Sequence, residues 1–280
     1  MKIMVTGANG QLGFDVLKEL KNRKIDCMGV DINDFDITSK EAVFAAVKAY
    51  MPDAIIHCAA YTAVDKAEDE PELCEKINAG GTRNIAEACK EFDVKMMLIS
   101  TDYVFDGEGE TPYETGDTPN PKNVYGKTKL MAENAVKSML TDYFIVRISW
   151  VFGVNGNNFV KTMLKLAETR EEINVVDDQT GSPTYTKDLA KLLCDMIVTD
   201  KFGVYHATNE GFCSWADFDR KIFEFAGKNV TVNSIKTADY PTKAARPKNS
   251  RLSKRSLDDA GFERMPRWED AVEEFLRQEL

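Results

Sequence analysis

The first 150 residues alternate short apolar runs with longer amphipathic stretches, and no other feature of the chain limits its fold so tightly. Residues 3–6, 26–30, 54–58, 95–100 and 143–148 read as strands. Residues 11–21, 40–50, 71–91 and 123–138 carry the helical spacing of apolar positions. Near-continuous apolar strands separated by helices imply βαβ units, hence an α/β fold whose parallel sheet is covered on both faces. A ligand of such a sheet binds beyond the carboxyl ends of the strands.

After Ser149 the rhythm loosens. Residues 159–170, 187–199 and 215–225 read as helices, 173–176 and 204–207 as strands, and 268–280 as a last helix after a turn-rich stretch at 240–247. This predicts a first domain over 1–150, with returning segments near 173–200 and 235–246, and a smaller mixed α/β region from the remainder of 151–280. The charge balance, 36 Lys and Arg against 46 Asp and Glu for a net −10, argues against nucleic acid or an anionic membrane as partner. Six cysteines without a C-x-x-C pair or zinc-finger histidines signal neither a metal framework nor a redox pair. The N-terminus reaches Gly7 too early for a secretory segment, and no apolar run attains the ~20 residues of a membrane span, so a cytoplasmic location is expected.

Thr6-Gly7-Ala8-Asn9-Gly10-Gln11-Leu12-Gly13 lies between the first strand and the first helix. Glycines there allow a tight turn and let a pyrophosphate approach bare backbone N–H groups at a helix N-terminus. Asp31 follows the second strand, 24 residues after Gly7, where a carboxylate accepts hydrogen bonds from a ribose 2′-hydroxyl. The same carboxylate repels a 2′-phosphate, and Ile32-Asn33-Asp34 rather than an arginine immediately follows it, so NADH is expected over NADPH.

Tyr125-Gly126-Lys127-Thr128-Lys129 opens an amphipathic helix, so Tyr125 and Lys129, four apart, project from one face. Carbonyl reduction needs a proton donor at the oxygen, and an ammonium nearby lowers the pKa of a phenol. Alone, such a pair is common on helix surfaces. Ser100-Thr101 at the end of the preceding strand adds a hydroxyl at the carboxyl rim, and strand alternation favours Thr101 over Ser100 as the one facing the site.

The T-G-x-x-G-x-x-G spacing resembles that of the extended short-chain dehydrogenases/reductases, and further blocks narrow the resemblance. The segments 58–68, 100–107, 123–130, 147–153, 157–159, 178–184 and 246–247 are similar, in order, to those of the dTDP-4-dehydrorhamnose reductases. The resemblance covers most of residues 3–252. Met131-Ala132 departs from it mildly, where such reductases often carry a small pair including glycine. It implies a Rossmann-type doubly wound sheet with a substrate-binding region, and reduction of a dTDP-linked 4-keto sugar to dTDP-L-rhamnose by NADH or NADPH. Thr101, Tyr125 and Lys129 would be the catalytic trio, with Tyr125 and Lys129 also touching the cofactor. Ala59, Ala60 and Tyr61 would line the cofactor, Asp36 and Ile37 would approach adenine, and Thr62, Val64, Tyr103 and Trp150 would flank the substrate. The resemblance also brings in Mg2+, for which no ligand set is assigned, and leaves monomer or homodimer open.

A diphosphate substrate of a chain this acidic needs local donors; Arg246, Lys248 and Arg251 are the candidates, with a solvated basic loop as the alternative. His57 and His206 read as core histidines. Two other functions compete. An epimerase or dehydratase of the extended family is one, although a dehydratase would place a second acid beside Asp102. A non-catalytic regulatory subunit of the methionine adenosyltransferase type is the other, and retention of all three catalytic residues argues against it.

Overall fold

The structure is a computed structural model that describes residues 1–279. Its framework is a six-stranded sheet built from β1 (Lys2–Thr6), β2 (Asp26–Val30), β3 (Ala54–His57), β4 (Lys95–Thr101), β5 (Tyr143–Ile148) and the strand Gly203–His206. Every pairing is parallel, and the spatial order is β2, β1, β3, β4, β5, then Gly203–His206. The chain leaves β1 toward one side through α1 (Gln11–Asn22) and returns past α2 (Lys40–Tyr50) to β3 on the other. That reversal opens a crevice above β1 and β3, where doubly wound sheets hold ligands.

The strand period of two sorts the apolar side chains into two cores. Ile3, Val5, Ile56, Met97, Ile99, Val146 and Ile148 face α1 and the helix Thr186–Ile197. Met4, Ile55, Met96, Leu98 and Ile145 face α2 and the helices Thr82–Phe92 and Val124–Met139. Both faces are therefore buried, as the unbroken apolar strands require. At the typical 1.5–3 kcal/mol for each large apolar side chain buried, these two layers supply the bulk of the stabilisation.

The second region has its own core, in which Phe152, Tyr185, Phe218, Trp268 and Phe275 pack together. Glu172–Val176 pairs in parallel with Thr231–Ile235, a strand whose sequence, Thr-Val-Asn-Ser-Ile, is too polar to stand out by pattern. The chain does return to the first layer, but through Thr186–Ile197 and Gly203–His206; Glu172–Val176 stays in the second region, and residues 235–246 join no strand of the large sheet. The last helix runs over Trp268–Glu279; Leu280, expected at its end, lies outside the described residues.

One expected helix is interrupted. Residues 71–92 form Pro71–Glu75, a π-helical segment Lys76–Gly81, and Thr82–Phe92 in succession. Among the described residues no helix is long and apolar enough to cross a membrane.

Candidate active site

A cavity of about 930 Å³ occupies the crevice and runs from Asp31 and Asp36 past the glycine turn to Thr101, Tyr125 and Trp150. Its floor exists because side chains are absent. A Cβ on Gly7 would lie 2.7 Å from the Ala59 nitrogen, and one on Gly13 would lie 2.2 Å from the Gly7 carbonyl oxygen. Gly7 also holds φ at +67°, which glycine adopts without strain. Gly10 is the N-cap of α1 and supplies no capping side chain, so the first amides of the helix open toward the cavity that Gln11, Leu12 and Gly13 line.

Asp31 holds this turn in place. Its Oδ2 accepts from the Asn9 amide at 2.9 Å and its Oδ1 from the Ile32 amide at 2.8 Å. Asp36, Ile37, Thr38 and Lys76 line the same end. An elongated cleft with an uncapped helix N-terminus at its middle and carboxylates at one end fits a dinucleotide in size and in donor pattern.

At the other end the three expected groups meet. Asn123 caps the helix Val124–Met139, its Oδ1 accepting from the Gly126 amide at 2.7 Å. Gly126 lets that helix lie against the Tyr103 carbonyl, which a Cβ would approach to 2.1 Å. Tyr125 and Tyr103 pack edge to face with centroids 5.6 Å apart. The Lys129 side chain is 3% exposed, and its Nζ donates to the Ile99 carbonyl at 2.7 Å. Burial lowers this ammonium to about 8, with Glu133 opposing the shift.

Tyr125 departs from expectation in one respect. Its phenol is raised, not lowered: burial dominates, Asp102 adds to it, and only the Thr101 hydroxyl opposes. The Ile99 carbonyl accepts a hydrogen bond from the Lys129 ammonium. A raised phenol stays protonated at neutral pH, the form that a proton donor must have.

Strand alternation separates the two neighbouring hydroxyls. Ser100, which lines the same cavity, donates to Glu133 Oε1 at 2.7 Å, while Thr101 accepts from the Tyr103 amide at 3.2 Å and donates to Asp102 at 3.0 Å. Glu133 is fully buried and takes a bidentate pair from Arg147 at 2.8 and 2.7 Å. Burial alone would raise Glu133, but Arg147, Ser100 and Lys137 outweigh it and hold the carboxyl below its ordinary value. This network fixes the helix face that carries Lys129.

A second cavity of about 800 Å³ adjoins the first and shares Tyr103 and Trp150 with it. Trp150 stands at φ +49°, uncommon for a bulky residue, and its indole stacks on Trp215 at 3.7 Å. Gly181 yields to that indole, since a Cβ there would sit 2.8 Å from Trp150 Cε2. Arg246 lines only the second cavity, where its guanidinium forks onto Asp65 at 2.9 and 2.6 Å. That pairing holds Asp65 down at about 2. Lys248 and Arg251 line neither cavity: Lys248 faces Asp178 at 3.7 Å and Arg251 donates to the Glu110 carbonyl at 3.1 Å.

Thr62, Val64, Ala59 and Ala60 line the first cavity, but Tyr61 does not. Its hydroxyl donates to Glu70 at 2.7 Å, and its amide and carbonyl both bond to the Asn78 side chain, at 2.8 and 3.2 Å. Tyr61 ties down the loop whose neighbours face the cleft. His57 bonds Thr6 and Thr82, and burial lowers both His57 and His206 to about 3, so they are neutral members of the core. Among the described residues no group of three or more His, Cys, Asp or Glu side chains is arranged to hold a metal ion.

Several residues escaped the linear motifs. Asn78, 1% exposed in the π segment, bonds Thr128 Oγ1 at 3.1 Å as well as Tyr61. Its only signal was Gly80-Gly81 inside a helix, a pair explained at Gly81 by Ile37, which a Cβ would meet at 2.7 Å. Asn155 reaches across from the second region to the carbonyls of Asn9 and Gly10 at 2.7 and 3.2 Å, and Asn158, which the 157–159 block does contain, reaches Gln11 at 3.1 Å. No local pattern announces a bridge between segments so distant in sequence.

The chain is similar over its length to known proteins. The family model described as RmlD substrate binding domain matches residues 1–280. A dTDP-4-dehydrorhamnose reductase of Aggregatibacter actinomycetemcomitans is 41% identical, with 97% of each chain covered. A spore coat polysaccharide biosynthesis protein of Bacillus subtilis is 39% identical, covering 99% of this chain and 97% of that one. The crystal structure of a dTDP-4-dehydrorhamnose reductase from Bacillus anthracis in complex with NADP superposes with a TM-score of 0.97 at 45% identity, covering 99% of both chains. The cleft, the trio and these full-length matches agree, and the chain belongs to the RmlD substrate binding domain family.

Proposed function

We propose that this chain is an NAD(P)H-dependent oxidoreductase that reduces the 4-keto group of dTDP-4-dehydro-6-deoxy-L-mannose (dTDP-4-dehydrorhamnose) to give dTDP-L-rhamnose. The observation that carries the reading is the meeting of Thr101, Tyr125 and Lys129 in a dinucleotide-sized cleft, at its junction with a second cavity. A reduced nicotinamide, when bound, supplies hydride to the carbonyl carbon. The glycine turn with Asn9, Gly10, Gln11 and Leu12 would hold the pyrophosphate, Asp31 the adenine ribose, and Asp36, Ile37, Ala59 and Ala60 the walls.

In this reading Tyr125 donates its proton to the keto oxygen as charge develops there. Thr101 hydrogen-bonds the same oxygen and fixes it near the phenol. Lys129, cationic below about 8, places positive charge at the cleft floor, which favours the developing negative charge. Tyr103, Trp150, Thr62 and Val64 frame the sugar, and the second cavity takes the nucleotide. Arg246 would exchange Asp65 for the substrate diphosphate, a bidentate partner of the same geometry. The division of labour puts the cofactor on residues 1–150 with their returning segments and the substrate on the remainder.

Asp31 supports a preference for NADH. Lys76 at the same end supports acceptance of NADPH as well. The test is to mix the purified chain with the 4-keto sugar nucleotide and follow NADH oxidation, then repeat with NADPH. Consumption of cofactor with formation of dTDP-L-rhamnose is expected; no consumption with either cofactor would reject the function, and a faster reaction with NADPH would reject the preference.

A further inference from the structure

Thr101 has one hydroxyl proton and two lone pairs, and the structure commits the proton. Oγ1 accepts from the Tyr103 amide at 3.2 Å and donates to Asp102 Oδ1 at 3.0 Å. The Tyr125 phenol oxygen is a second partner of this hydroxyl, so while an ionised Asp102 holds the one proton, Thr101 can give it neither to Tyr125 nor to a keto oxygen. Yet the support that the site gives an ionised Asp102 falls short of the cost of burying it. The residue lines the cavity and is 3% exposed, and among the described residues it forms no ion pair. The Ser250 and Thr101 hydroxyls and the backbone amides of Asp102 and Tyr103 favour the ionised form, but burial outweighs them and Oδ2 completes no hydrogen bond. A buried carboxylate left in this state is costly unless it takes up a proton.

The groups facing it point the same way. Tyr103 and Tyr125 present neutral phenols, both raised further by the carboxylate, after burial. Arg246, whose charge acts on Tyr103, is engaged by Asp65. Lys129 is turned to the Ile99 carbonyl. We propose that Asp102 is a positioning residue for the ketoreduction proposed above: in its neutral form its carboxyl donates to Thr101 Oγ1, which turns the threonine's own proton toward the substrate's keto oxygen. The two lone pairs then take the Tyr103 amide and the Asp102 proton, and the one hydroxyl proton goes to substrate. Burial raises Asp102 to about 6, so the neutral form is within reach near neutral pH.

The proposal rests on the ketoreductase reading, and two measurements on the full chain separate their failures. Carbon-13 labelling of the aspartate carboxyls, with Asp102→Asn to assign the signal, reads the carboxyl directly. A titration midpoint near 6 is expected, and one at the ordinary 3.8 overturns the proposal whatever the enzyme does. In the pH profile of kcat, the wild type is expected to fall about tenfold per pH unit above the Asp102 midpoint. Asp102→Asn, whose amide donates at every pH, should keep the rate within about threefold at pH 6 and lose that limb. A wild-type limb retained in Asp102→Asn overturns the proposal alone; a wild type that reduces no 4-keto sugar overturns the ketoreductase reading and this role with it. Thermal melting checks the fold, and Asp102→Ser, a smaller hydroxyl donor, replaces the Asn variant if that one melts early.

Discussion

At the residue scale, the placement of Thr101, Tyr125 and Lys129 on one cleft was legible because its logic is local: four-residue spacing on a helix and alternation on a strand need no tertiary knowledge. Partners were not legible. Nothing near Arg246 in sequence announces Asp65, and nothing near Lys129 announces the Ile99 carbonyl that accepts its hydrogen bond. The histidines yield a prediction with a defined sign. His57 sits near 3 when folded against an ordinary 6.5, because burial, and then Lys129, disfavour its charge. As pH falls below 6.5 the unfolded chain takes up a proton that the folded chain refuses, so stability is lost from about 6.5 down to 3. The loss approaches ~1.4 kcal/mol per pH unit for each such histidine. Denaturant titrations of His57→Asn at several pH values should show a shallower fall between pH 6 and 4 than the wild type; parallel curves would contradict the assignment.

At the element scale, the long apolar strands and amphipathic helices of the first half follow the expected positions within one or two residues. The polar strand Thr231–Ile235 and the π segment Lys76–Gly81 do not show in periodicity, the first because it lacks apolar alternation and the second because it inserts into an otherwise helical run. The π segment matters because it carries Asn78, whose side chain joins the loop after β3 to the helix of Tyr125. Asn78→Ala removes those bonds and leaves the Tyr61 amide without its partner. A destabilisation of about 1–3 kcal/mol is expected by chemical denaturation, with a drop in kcat as the loop loosens. Unchanged stability and rate would show that the π segment does not order the site.

At the scale of the whole molecule, the two regions meet over the cofactor cleft, and Asn155 with Asn158 makes the connection to the glycine turn. Asn155→Ala should raise the KM for NADH roughly fivefold, about one net hydrogen bond, and leave kcat within about twofold. A fall in kcat with KM unchanged would place the bridge in the chemical step instead. The fold class and the cleft were readable from order and motif; the closure of one region on the other was not, because it depends on contacts between segments some 145 residues apart. In the proposed function the whole arrangement serves proton delivery to the carbonyl undergoing reduction. The most direct test replaces Tyr125 by Phe, removing only the phenolic oxygen, and measures both NADH binding and turnover of the 4-keto sugar nucleotide. NADH affinity within about twofold of wild type and turnover lower by roughly 10²–10⁴-fold is the expected result; turnover at the wild-type rate would contradict the account.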